Sequence, residues 1–133
     1  MRKKMEIQGS PDIAKRIRTI AGRLSLDYID TRRVICMRTL HATSRARARI
    51  WGFPRMWQMA LGISPHYVIE VLSQHYDHLS DDDKTRTLIH ELMHIPRNFS
   101  GALVPHKGRY KRIDRGSIEK LFATYKNGKD SDL

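Results

Sequence analysis

At 133 residues the chain is long enough for one modest hydrophobic core and too short for two ordinary domains. Hydrophobic residues make up 40% of it, and no apolar run approaches the roughly 20 residues of a membrane span. The net charge of +11 and a pI near 10.2 imply an acidic partner, nucleic acid being the commonest, or else a solubility adaptation with no dedicated ligand.

The N-terminus "MRKKMEIQGSPDIAK" is basic but has no apolar stretch, so no signal peptide is expected. One cysteine, Cys36, cannot form an internal disulfide or a cysteine-built zinc site. It lies in the apolar run "RVICMRT" and reads as a buried core thiol. These features point to a reducing cytoplasm and to no membrane partner.

In chain order, residues 1–10 read as a loose basic tail, 11–126 as a single domain and 127–133 as a frayed end. Ser10 is a plausible N-cap with Pro11 at the first helical position. Ile13, Ile17, Ile20 and Leu24 then recur at helical spacing, which predicts a helix over 11–23 with Lys15, Arg16, Arg18 and Arg23 on its polar face. "LDYIDTRRVICMRTL" is rich in β-branched and aromatic residues and predicts a strand or short hairpin. "SRARARIWGF" alternates with period two, placing Arg45, Arg47, Arg49 and Trp51 on one side of a strand. "MWQMALG" and "HYVIEVLS" read as further strands separated by "ISP". Ser80 and Asp83 form a capping-box pattern, Asp81, Asp82 and Asp83 complement the helix dipole, and Pro96 stops the next helix, predicted over 81–95. Residues 96–116 carry no clear element, and "SIEKLFATY" reads as a last helix.

The chemistry concentrates in "TLIHELMHIPRNFSGALVPH". His90 and His94, one helical turn apart, are separated by only about 40° on the helix surface, so both imidazoles project to one side. Glu91 lies beside that face, and Leu88, Leu92 and Ile95 lie opposite. Two neutral imidazoles on a zinc ion, with a carboxylate near its water, are what metal-assisted hydrolysis needs. A catalytic zinc usually takes a third protein ligand. His106 can supply it, because Pro96, Gly101 and Pro105 shape a returning loop. Glu119 is the competing third ligand, on the last helix, and Asp114 a weaker one or a hydrogen-bond partner for a histidine. Tyr110 and Arg112 follow His106 and could stabilise an oxyanion, though an ordinary loop tyrosine and arginine in a basic chain is the better fit. His41, His66, His75 and His78 stand singly and read as surface or packing residues.

The segments "ARIWGFPR", "YVIEV", "LIHELMHIP" and "FSGALVPH", between about residues 45 and 106, resemble the small predicted zincin-type metallopeptidases of archaea and phages. That resemblance implies His90, His94 and His106 as metal ligands and Glu91 as catalytic base. It implies a minimal zincin-like α+β fold, with an N-terminal helix, a small mostly antiparallel sheet, the active-site helix and a C-terminal helix. The outline is similar to SprT-like proteases, without their appended zinc ribbon and without the metzincin spacing.

The leading expectation is a zinc-dependent metallopeptidase, an endopeptidase acting on protein or peptide, with the strand "RARARIWG" as the edge on which substrate pairs. The same arginines could instead protect that edge from aggregation. The alternatives are a basic nucleic-acid-binding protein with a structural or vestigial zinc site, and a metal-dependent ribonuclease. A basic face tethering the peptidase to nucleic acid without reading sequence is compatible with the first.

Overall fold

Period-two apolar patterning builds a mixed sheet, and helices cover one of its faces. The computed structural model describes residues 3–108 and 112–128. In chain order the elements are β1 (Glu6–Gly9), α1 (Pro11–Arg23), a single 3-10 turn (Thr31–Arg33), β2 (Val34–Leu40), β3 (Ala48–Trp51), α2 (Arg55–Leu61), β4 (Tyr67–Leu72), α3 (Ser73–Tyr76), α4 (Asp81–Leu92) and α5 (Arg115–Asn127). The strand order is β1-β2-β4-β3. β2 and β4 pair in parallel, while β1 and β3 pair antiparallel at the two edges. The architecture is therefore the small α+β arrangement expected, with antiparallel pairing in two of three ladders.

Val34 and Cys36 of β2 and Tyr67, Ile69 and Val71 of β4 pack with Ile13, Ile17 and Ile20 of α1, with Leu88, Ile89 and Leu92 of α4, and with Ile118 and Phe122 of α5. Each fully buried aliphatic side chain contributes ~1.5–3 kcal/mol, so this cluster is what fixes α4 against the sheet. Burial pushes the Cys36 thiol up to about 11, consistent with an inert core residue. On the opposite face Glu70 is buried and accepts from Arg49 Nε (2.7 Å), Trp51 Nε1 (2.9 Å) and the Thr39 hydroxyl. Burial works to raise the Glu70 pKa, and these three donors outweigh it.

Three expectations are corrected. Residues 6–9 are not a loose tail: they form β1, in register from Glu6 opposite Leu40 to Gly9 opposite Met37. All four are exposed, so the ladder holds the strand without any apolar alternation to announce it. "MWQMALG" is not a strand but α2, because Met, Gln, Ala and Leu are strong helix formers and Gly62, at φ 65°, caps the C-terminus in the left-handed region. The helix predicted over 81–95 ends at Leu92, and Met93 to Ile95 form a turn, since Pro96 disfavours helical backbone just before it. The Ser80 hydroxyl caps α4 by accepting from Asp83 N–H, at 3.1 Å. The reciprocal capping box forms at the start of α5, between Asp114 and Ser117.

Candidate metal centre

The buried stripe of α4, Thr85, Leu88, Ile89 and Leu92, sets the rotation of the helix. That rotation turns His90 and Glu91 toward a groove of about 840 Å³ between β3, α4 and α5. Arg47 and Ala48 wall it on the β3 side, and Arg115, Ile118 and Glu119 on the α5 side.

The loop after α4 brings the third imidazole. His94 lies two residues past the helix end, where its Nδ1–H donates to the Val104 carbonyl at 2.5 Å and its own carbonyl accepts from Val104 N–H at 2.7 Å. This two-way pairing fixes the ring and makes Nε2 the nitrogen that carries the lone pair. His106 follows two residues later. Its Nε2 sits 3.0 Å from His90 Nε2, and the His94 and His106 ring centroids are 4.5 Å apart. One ring nitrogen from each of His90, His94 and His106 lies within 4.8 Å of the others.

A knot of hydrogen bonds shapes the loop. Gly101 N–H donates to the Tyr67 hydroxyl (2.8 Å), which donates to the Ala102 carbonyl (2.8 Å). Phe53 N–H donates to the Gly101 carbonyl at 2.8 Å. Gln58 Nε2 donates to the carbonyls of Phe53 (2.7 Å) and Ser100 (2.8 Å). Gly101 has φ +93°, and a Cβ there would lie 2.4 Å from the Phe53 oxygen and 2.5 Å from Gln58 Nε2. Only glycine fits that conformation and that space.

Glu91 is 7% exposed, and its Oε2 has no hydrogen-bond partner among the described residues. Burial pushes its pKa up to about 7. Burial also lowers His90, and the neighbouring His94 and His106 lower it further. Two ring nitrogens facing each other at 3.0 Å and an orphaned buried carboxylate oxygen are a donor set that suits a metal cation and the water beside it.

The other site candidates fall elsewhere. Glu119 lines the groove, but its carboxylate accepts from Arg86 Nε at 2.7 Å, and Arg86 also donates to Asp83 at 2.9 Å. Asp114 accepts from Ser117 N–H at 2.9 Å as the N-cap of α5. Tyr110 lies outside the described residues. Arg112 bridges with Lys107 in an isolated β-pair beyond His106. His41, His66, His75 and His78 are not part of the imidazole cluster. The sequence reading missed Tyr67 and Gln58 as loop anchors and Val104 as the partner of His94. The period-two pattern that turns Tyr67 inward is visible in "YVIEV". The Val104 contact uses a backbone carbonyl and has no sequence signal.

An α+β domain with three converging imidazoles beside a buried carboxylate is the architecture of a metallopeptidase-like protein. Residues 5–126 match the family described as "Putative phage metallopeptidase", and the chain belongs to that family. No curated protein and no solved structure matches it significantly.

Proposed function

We propose that this protein is a zinc-dependent endopeptidase in which His90, His94 and His106 hold the metal and Glu91 is the general base. The observation that carries the reading is the convergence of three imidazoles next to a buried, unpartnered Glu91 Oε2 at the wall of an open groove. When bound, zinc supplies Lewis acidity and lowers the pKa of its water to about 7. The Val104 carbonyl keeps His94 in the tautomer that offers Nε2. Glu91 Oε2 takes a proton from the attacking water and returns it to the departing amine, and its burial raises its basicity for that task.

β3 is the edge strand on which an extended peptide can pair. The Arg47 carbonyl accepts from Leu72 N–H, at 3.0 Å, inside the sheet. By the alternation of an antiparallel ladder, the backbone groups of Ala48 and Ile50 then face the open edge. Arg47 stands in the groove with no ion-pair partner among the described residues and selects for substrate carboxylates near the scissile bond. The test is metal analysis and casein hydrolysis on the wild type and Glu91→Gln. The expected result is about one zinc per chain in both and loss of hydrolysis in the variant, by roughly 100-fold or more. Full activity in metal-loaded Glu91→Gln overturns the mechanism.

A second reading rests on the +11 charge: Lys15 and Arg18 on α1, without ion pairs among the described residues, would tether the enzyme to nucleic acid through phosphates alone. A duplex-binding titration expects affinity that falls steeply with salt. Absence of binding at low salt removes the tether and leaves the peptidase reading intact.

A further inference from the structure

β3 runs into a glycine where its alternation calls for an inward side chain. Ala48 lies opposite Val71 and Ile50 opposite Ile69, and both pack against the core. Gly52 is next in that series, so a side chain there would point to the same face, the one that carries α4. The metal loop takes that space. A Cβ on Gly52 would lie 2.7 Å from the Gly101 carbonyl oxygen and 3.2 Å from Leu103 Cγ. Leu103 therefore stands where the side chain of residue 52 would be. It is large and apolar, yet 42% exposed. It also adjoins the imidazole cluster, because the next residue, Val104, pairs both ways with His94.

Charge distinguishes the two ends of the cleft. His90 borders the groove at the Ala48 end, where Asp83, Arg86, Asp114, Arg115 and Glu119 also line it. His94 borders the Leu103 end, so the imidazoles lie between the two. Although 29% of the chain is charged, residues 50–54 (IWGFP) and 98–105 (NFSGALVP) hold no charged residue. A peptide paired with the open edge of β3 sets its residue opposite Gly52 on the same face, with side chains about 5 Å apart. That residue meets Leu103. It lies about 13 Å along the strand from the peptide residue opposite Ala48, and so within a few residues of a bond held at the metal. A large apolar side chain there loses only water, whereas a charged one gives up its hydration against an apolar surface.

We propose that Leu103, seated over Gly52, is a specificity-determining contact that selects a large apolar side chain of the substrate at the end of the cleft away from the charged groove. The proposal rests on the peptidase reading, with β3 as the substrate edge. It defines the substrate class as an extended polypeptide with an exposed large apolar residue close to the cleaved bond. Unfolded protein segments fit that description, since a folded protein hides both the apolar side chain and the backbone groups that β3 pairs with.

The test uses the full zinc-loaded chain and short peptides that differ at a single position, which carries Leu, Ser or Lys in turn and is moved along the peptide. Mass spectrometry locates cleavage by the wild type and gives relative kcat/KM. Fluorescence anisotropy measures binding to Glu91→Gln, which does not depend on turnover. The expected result is one position near the cleaved bond where Leu is favoured over Ser about ten-fold in both readouts. Leu103→Ala cuts that preference to about two-fold, and Leu103→Met keeps it. Leu103→Glu moves the preference at the same position from Leu to Lys, which a loss of structure would not do. Circular dichroism and zinc content check that the variants are folded and loaded. The proposal is overturned if peptides are cut or bound with no preference for Leu, or if the preference is unchanged in Leu103→Ala and Leu103→Glu. Peptides bound with a preference that depends on Leu103 but never cut uphold the contact and overturn the peptidase reading instead. Peptides neither bound nor cut overturn both.

Discussion

Gly101→Ala tests the loop that delivers His106. An alanine Cβ would meet the Phe53 carbonyl oxygen at 2.4 Å and Gln58 Nε2 at 2.5 Å, both well inside contact distance. The backbone at φ +93° also disfavours an L side chain, at ~1–3 kcal/mol. Relief requires the loop to back away from Phe53, which breaks the Phe53–Gly101 bond or one from Gln58, at ~1 kcal/mol each. The sum is ~3 kcal/mol of destabilisation, or roughly 10 °C in Tm for a domain of this size. The same movement displaces Val104 and with it the orientation of His94, so zinc affinity falls ~10-fold or more. Urea and thermal unfolding give the first quantity, and competition against a chromogenic chelator the second. Gly9→Ala is the control, because a Cβ there meets nothing within 4 Å. A Gly101→Ala protein with wild-type Tm and wild-type zinc affinity would refute the reasoning.

His106→Ala is expected to weaken zinc binding by at least ~100-fold, while Glu119→Ala, which only releases Arg86, leaves it nearly unchanged; the same competition assay decides between them. Asp12→Asn should cost ~0.5–1 kcal/mol at neutral pH, since Asp12 is largely exposed and its pair with Arg38 is screened. Hydrogen bonds from Arg38 hold the Asp12 carboxyl well below its usual 3.8, so its contribution is present above that value and is lost as pH falls toward the lower folded value. Urea unfolding should therefore show the wild type and Asp12→Asn converging as pH drops below about 3.8; a gap that persists there would contradict the assignment.

The helical half of the fold was legible because its signals are local. Pro11 with the isoleucine spacing placed α1, and Ser80 with three aspartates placed the start of α4. β4 was legible because both its type and its burial are written in "YVIEVL". β1 and α2 were not, for opposite reasons: β1 is exposed throughout and held by its ladder alone, while α2 is apolar and yet unburied. A reading that equates apolar residues with the interior misassigns both. His90, Glu91 and His94 could be read from a helix wheel, and His106 from proline and glycine placement. What holds them in place could not be read, because Val104 acts through its carbonyl and Tyr67 and Gln58 reach the loop from 35 and 42 residues away.

The imidazoles assigned to the metal all fall between residues 90 and 106, on one continuous stretch of chain. A chelate that local survives unfolding in part, since no long loop has to close to bring its nitrogens together. On that assignment a bound zinc ion would stabilise the native state only by the ratio of its folded and unfolded affinities, which is less than its dissociation constant alone implies. The same locality would let the ion load during synthesis. The proposed ligand set would be complete once residue 106 has emerged, before α5 exists to close against α4.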